Sequence, residues 1–289
     1  MPPDAAIPLP DASLPAVLLE AGAMLLLLAS ATAGILLLFL KWPQRAMRVR
    51  AKRRARLLWT PRDAQFVVGA TLLLLSGFVL SALSGEPAVP AEQPPHLAIV
   101  LLSACFMPVL TVLLCRYRAA AVGVSVRELL GIQLRTWKKD ATLGLFAGVA
   151  ILLPSLLLSY GSGILLQRLG IPPEMQDALR WFQDPEASVG LKAAILLQGG
   201  VIAPLVEEVL YRGVLLSVVL RGRSALSAVL LISLFFAAMH LQAQAFAPLL
   251  VVGAAFAAAL LATGSLITPI VMHMVFNAGN LLLAAASPG

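Results

Sequence analysis

The chain has 289 residues, 60% of them hydrophobic and only 12% charged, a composition that excludes a water-soluble globular domain and leaves a membrane protein. Its net charge of +7 does not point to nucleic acid. The Lys and Arg residues gather in a few loops between apolar runs rather than on one folded basic face.

The opening stretch, Met1 to Pro15, is acidic and proline-rich, with Asp4 and Asp11. A secretory signal needs a positive start and a cleavage site, so the first apolar run is expected to remain as a helix. Runs long enough to cross ~30 Å of hydrocarbon then recur along the chain. They predict an all-α, polytopic membrane bundle of about eight spans: Val17 to Leu40, Phe66 to Leu83, Leu97 to Cys115, Leu143 to Leu166, Ala193 to Leu220, Ser227 to His240, Phe246 to Leu261 and Leu266 to Ala286. The sixth and seventh are short.

The intervening loops alternate in charge. Arg45, Arg48, Arg50, Lys52, Arg53, Arg54 and Arg56 follow the first span, and Glu86 and Glu92 the second. Arg116, Arg118, Arg127, Arg135, Lys138 and Lys139 follow the third, the acidic Glu174, Asp177, Asp184 and Glu186 the fourth, and Arg221 and Arg223 the fifth. The positive-inside rule then puts the amino terminus outside and the basic loops in the cytoplasm, beside anionic lipid headgroups. Between Pro172 and Pro185 the apolar and acidic positions allow a short helix on the outer interface. Cys105 and Cys115 lie ten positions apart on one expected helix, ~15 Å along its axis, and cannot bridge within it.

An ionisable side chain inside a membrane span costs on the order of 2.5–3.5 kcal/mol even on lenient scales, so each one asks for a reason. The fifth span carries Glu207, Glu208 and Arg212. Glu208 and Arg212 stand four residues apart, acid first, the favourable order for an intrahelical pair. Glu207 projects ~100° away, has no base at its own i+4 position, and shares its face with Tyr211, which leaves it available for chemistry. Of three histidines, His240 follows Phe236 by four residues and His273 precedes Asn277 by four; His96 sits at an outer span boundary and is set aside. His273 and Asn277 on one face can both donate to a single developing oxyanion. Glu207 and His240 each lie ~20 Å from the cytoplasmic ends of their spans, whereas His273 is nearer the inner end of the last span. Either that helix is displaced along its axis, or the loop before Thr268 and Pro269 enters the membrane. A water-filled cavity open to the cytoplasm is expected.

In order, Glu-Glu-x-x-x-Arg, Phe-x-x-x-His and His-x-x-x-Asn inside hydrophobic helices resemble the CAAX-protease and bacteriocin-processing (Abi) family, which includes the type II CAAX prenyl endopeptidases. The resemblance covers roughly Ala193 to Ala286. It suggests three parts: residues 1–63, a membrane helix and basic loop; 64–192, further helices and loops; and 193–286, the motif-bearing protease core. It implies that Glu207 activates water with help from His240, that His273 and Asn277 support the oxyanion, and that Glu208, Arg212, Phe236 and Tyr211 are supporting. The implied substrate is a peptide or membrane protein, and the implied location is the bacterial cytoplasmic membrane.

Four other readings bear on these residues. Glu207, His240 and His273 could instead ligate a catalytic zinc, although the HExxH helix of zinc proteases is absent and metal-free chemistry without a cofactor is favoured. Ser217 and Ser233 have no evident base partner for a serine route. A non-catalytic immunity or scaffold protein would use the same polar cluster to hold helices. A proton-coupled transporter would want a paired broken-helix repeat, which the sequence does not show.

Overall fold

The computed structural model describes residues 58–84, 97–132, 134–171 and 177–286. The expected span Val17 to Leu40, the basic run Arg45 to Arg56, the outer loop with Glu86, Glu92 and His96, and Glu174 with its preceding prolines lie outside the described residues. Among the described residues all regular structure is helical: α1 (Pro61–Ser84), α2 (Leu97–Val122), α3 (Val126–Leu130), α4 (Trp137–Arg168), α5 (Asp177–Gln183), α6 (Val189–Val219), α7 (Ala225–Ala238), α8 (Ala243–Thr263) and α9 (Ile267–Ala286).

Helix ends follow local chemistry. The Thr60 N–H donates to Asp63 Oδ2 at 2.5 Å, and the Asp63 N–H returns a bond to Thr60 Oγ1, a reciprocal cap on α1. Ser125 and Glu128 form the same device on α3, and the Ser125 backbone N–H, then its hydroxyl, hold the Glu128 carboxyl below its ordinary pKa. Gly264, at φ 71°, turns α8 into α9 in the left-handed region that suits glycine.

Four helical stretches are long and apolar enough to cross a membrane: Ala104–Val122 of α2, α4, α6 and α8. The apolar segments Ala225–Ala238 and Ile267–Leu283 are shorter. A helix covers each expected span that falls among the described residues, so the all-α architecture holds there, and four of the described helices are long and apolar enough to cross a membrane. His240 is placed differently from expectation. It lies in the turn beyond α7, which ends at Ala238.

The α4 helix shows how the bundle divides its surfaces. Leu145, Phe146, Val149, Leu153 and Leu157 are exposed, whereas Gly144, Gly148, Ile151, Ser155 and Leu158 are buried. An outward stripe of that character is suited to hydrocarbon, where burying apolar side chains brings no gain over lipid and close backbone packing holds helices together. Gly144-x-x-x-Gly148 supplies such packing. A Cβ at Gly144 would lie 2.6 Å from the Thr268 carbonyl oxygen, and one at Gly148 would lie 2.8 Å from the Met272 carbonyl oxygen and from Val275 Cβ. Further along, Gly279 of α9 meets Leu152 of α4, so the two helices run parallel. Since α9 carries His273 and Asn277, Gly148→Leu is expected to wedge the site apart and cost about 1–3 kcal/mol or more. Thermal unfolding in detergent checks this, with Gly69→Leu, which meets nothing within 4 Å, as the unaffected control.

The centre of the bundle is α8, buried continuously from Val251 to Leu261. The turn after it is buried too, with Ser265, Leu266 and Thr268 at 0–1% exposure. The chain before Thr268 and Pro269 is therefore packed inside the protein. On the α4–α6 connection a short helix does form. Trp181 and Phe182 of α5, with Leu281 of α9, pack against Ala187, Leu191 and Ile195. Cys105 and Cys115 are both free.

Candidate active site

The site is built on α6, which is not a regular α-helix. Two π-helical stretches, Gln198–Ile202 and Glu208–Leu215, flank one α turn, Ala203–Glu207. Pro204 at the start of that turn lacks an N–H and clashes with an α-helical carbonyl four residues earlier, a strain that a wider turn relieves. Glu207 closes the α turn and Glu208 opens the second π stretch, so the two adjacent carboxylates leave the helix in different directions and meet different surroundings.

Glu208 and Arg212 are fully buried. Arg212 Nη1 donates to Glu208 Oε1 at 2.8 Å and Nη2 donates to the Gly253 carbonyl of α8 at 3.0 Å. The guanidinium also lies 4.5 Å from the Phe236 ring centroid and 5.2 Å from that of Phe256, an aromatic lining that favours a desolvated cation. The expected Glu208–Arg212 pair is thus present. Gly253 explains why α8 can come so close. A Cβ there would sit 3.1 Å from Phe236 and 3.4 Å from Arg212 Nη2.

The contact that sequence reasoning missed is between Glu208 and His273. His273 Nδ1 lies 2.9 Å from Glu208 Oε1, and because that oxygen already accepts from arginine, Nδ1 is the donor. The ring is stacked on Phe256 at 4.6 Å and meets Phe236 edge-on at 5.8 Å. Its other nitrogen, Nε2, faces Glu207 Oε2 at 3.9 Å, beyond direct hydrogen bonding. The Glu207 side chain is 28% exposed where that of Glu208 is 0%. One acid is locked into the protein, and its neighbour is partly exposed with its Oε2 buried and unpartnered.

The other predicted residues are distributed around this centre. His240 Nδ1 bonds the Phe236 carbonyl at 2.8 Å, and its ring packs on Phe236 at 4.7 Å. Phe236 therefore borders His240, His273 and Arg212 at once. Tyr211 is buried and packs edge-on against Phe236 at 5.3 Å. Asn277 Nδ2 donates to the Gly199 carbonyl at 2.8 Å. Asn277 and His273 thus hold separate protein partners, the Gly199 carbonyl and the Glu208 carboxylate. Glu207 meets the imidazole of His273, where sequence reasoning paired it with that of His240. Nothing in the local sequence signals Gly253, Phe256 or Gly199. The Gly144-x-x-x-Gly148 spacing was a readable sign of the α4–α9 contact.

As a metal site the set is open. Among the described residues no three His, Cys, Asp or Glu side chains are gathered closely enough to hold an ion. Glu207 and His273 face each other, and His240 and His273 both pack against the Phe236 ring.

An apolar helical bundle enclosing paired carboxylates, a guanidinium and imidazoles fits an integral membrane protein. Residues 189–279 match the family described as type II CAAX prenyl endopeptidase, Rce1-like, which is the family the motifs resemble. The match covers about a third of the chain and includes every motif residue from Glu207 to Asn277. No curated protein and no solved structure matches the chain.

Proposed function

We propose that the protein is an intramembrane endopeptidase of CAAX-protease type, hydrolysing a peptide bond with water activated by Glu207. The observation that carries this reading is the divided fate of the two acids. Glu208 is neutralised by Arg212 and bonded to His273, while the Glu207 carboxylate lacks such a partner and is partly open. In the proposed cycle Glu207 takes a proton from water as the oxygen attacks the scissile carbonyl. The second Asn277 N–H donates to the oxyanion, as does His273 Nε2 once its ring carries a second proton, and the proton taken from water passes to the leaving amine as the C–N bond breaks. His240, with Nδ1 held by the Phe236 carbonyl, presents Nε2 as the assisting nitrogen.

The substrate is a peptide or membrane protein, and the basic loops rest on anionic lipid in a bundle of about eight spans with its amino terminus outside. The location that goes with this reading is a bacterial cytoplasmic membrane. The decisive comparison is of membrane peptides retained in cells carrying the intact protein and in cells carrying Glu207→Gln. Accumulation of defined uncleaved peptides in the variant supports the proposal and identifies the substrate. Identical peptide sets would support an immunity or scaffold role instead.

One observation favours a metal-dependent form of the same reaction. A histidine whose Nδ1–H is anchored on a carboxylate, with Nε2 turned to a second carboxylate, has the outer support typical of a ligating imidazole. Activity that survives exhaustive chelation in protein free of bound metal would reject this form and leave the Glu207 mechanism standing.

A further inference from the structure

The first π stretch of α6 has a consequence for Asn277. In a regular α-helix the Gly199 carbonyl would accept from the Ala203 N–H, but that N–H bonds to Gln198 in the π register. One residue further on, the π partner of Gly199 would be residue 204, which is proline and has no N–H. Both helical donors are thereby removed. A carbonyl in a partly buried helix still calls for a donor, and the one that Gly199 receives is Asn277 Nδ2 of α9 at 2.8 Å.

We propose that Pro204 and Gly199 are positioning residues for Asn277: the proline and the π turn leave one main-chain carbonyl unpaired, and that carbonyl fixes the carboxamide by its nitrogen edge. Turned the other way, Oδ1 would face the Gly199 oxygen, two acceptors in repulsion. With one N–H spent on Gly199, the second N–H of the same nitrogen has a defined direction, as a donor to a developing oxyanion requires. The functional meaning rests on the proposed peptidase reading; the positioning can be measured without it.

The chain contains only two asparagines, Asn277 and Asn280, so selective side-chain 15N labelling of the full-length protein in detergent yields two NH2 groups, which Asn280→Ala assigns. Pro204→Ala restores an N–H and suits a helix better than proline. Hydrogen exchange of the Asn277 NH2 group is expected to accelerate about tenfold in this variant, the scale of one lost hydrogen bond, with that of Asn280 unchanged. Asn277→Leu is expected to lower the thermal midpoint by about 5 °C with Pro204 in place and by less than half as much in the Pro204→Ala background, where the helix can supply its own donor. Pro204→Leu restores the same N–H with a different side chain and must behave alike. Unchanged Asn277 exchange in both folded Pro204 variants, or an equal penalty for Asn277→Leu in both backgrounds, overturns the proposal. A protein that passes these tests and cleaves no peptide would refute the enzymatic reading alone.

Discussion

Purified Glu207→Gln protein is expected to lose peptide cleavage by about 10²-fold or more while inserting and melting like the parent. The amide keeps the size and polarity of the carboxylate but cannot accept the proton that must leave water in the attacking step. Folding is spared because Glu207 is the exposed member of the acid pair and takes no part in the Glu208–Arg212–Gly253 connections. Single-turnover cleavage of a substrate identified from retained peptides, together with thermal unfolding, checks both halves. Normal turnover by the variant would reject the glutamate mechanism in its metal-free and metal-dependent forms alike.

Arg212→Met should have the largest effect on stability. It leaves Glu208 at 0% exposure without its cation and the Gly253 carbonyl without its donor. Breaking one partner out of a buried ion pair costs about 3–5 kcal/mol, which in a chain of this size corresponds to a fall of about 10 °C in the unfolding midpoint. Arg212→Lys should recover only part of the loss, because a single ammonium cannot reproduce the two-pronged contact to carboxylate and carbonyl. Adding Glu208→Gln to Arg212→Met should restore some stability, since the uncompensated charge is then removed. If the double variant melts no higher than Arg212→Met, the penalty comes from lost packing around Phe236 and Phe256 instead.

A good part of this site was legible before any fold was known. The Glu208–Arg212 pair and the Phe236–His240 neighbourhood are i, i+4 relations readable from spacing, and both contacts form although the first lies in a π stretch and His240 in the turn beyond α7. The apolar runs likewise located the helices, because hydrocarbon demands long stretches with their backbone bonds satisfied internally. Reading Glu208 as the neutralised acid and Glu207 as the open one needed only the positions of the nearest bases. The internal geometry of α6 was less accessible. The π turns beside Pro204, and the carbonyl they release to Asn277, depend on a neighbouring helix that spacing cannot place.

What the sequence by itself determined is the class of molecule, the course of its helices, and every contact made within one helical turn. Which imidazole meets which carboxylate was decided by the tertiary structure. Glu208 reaches His273 across sixty-five positions, Glu207 faces the other nitrogen of the same ring, and Asn277 turns to Gly199. Such contacts depend on how far each helix slides and rotates against its neighbours. Here that was set by features of no local consequence: the glycines that let α4 close on α9, the missing Cβ of Gly253, and a buried turn at Ser265 and Leu266 that carries the start of α9 into the protein.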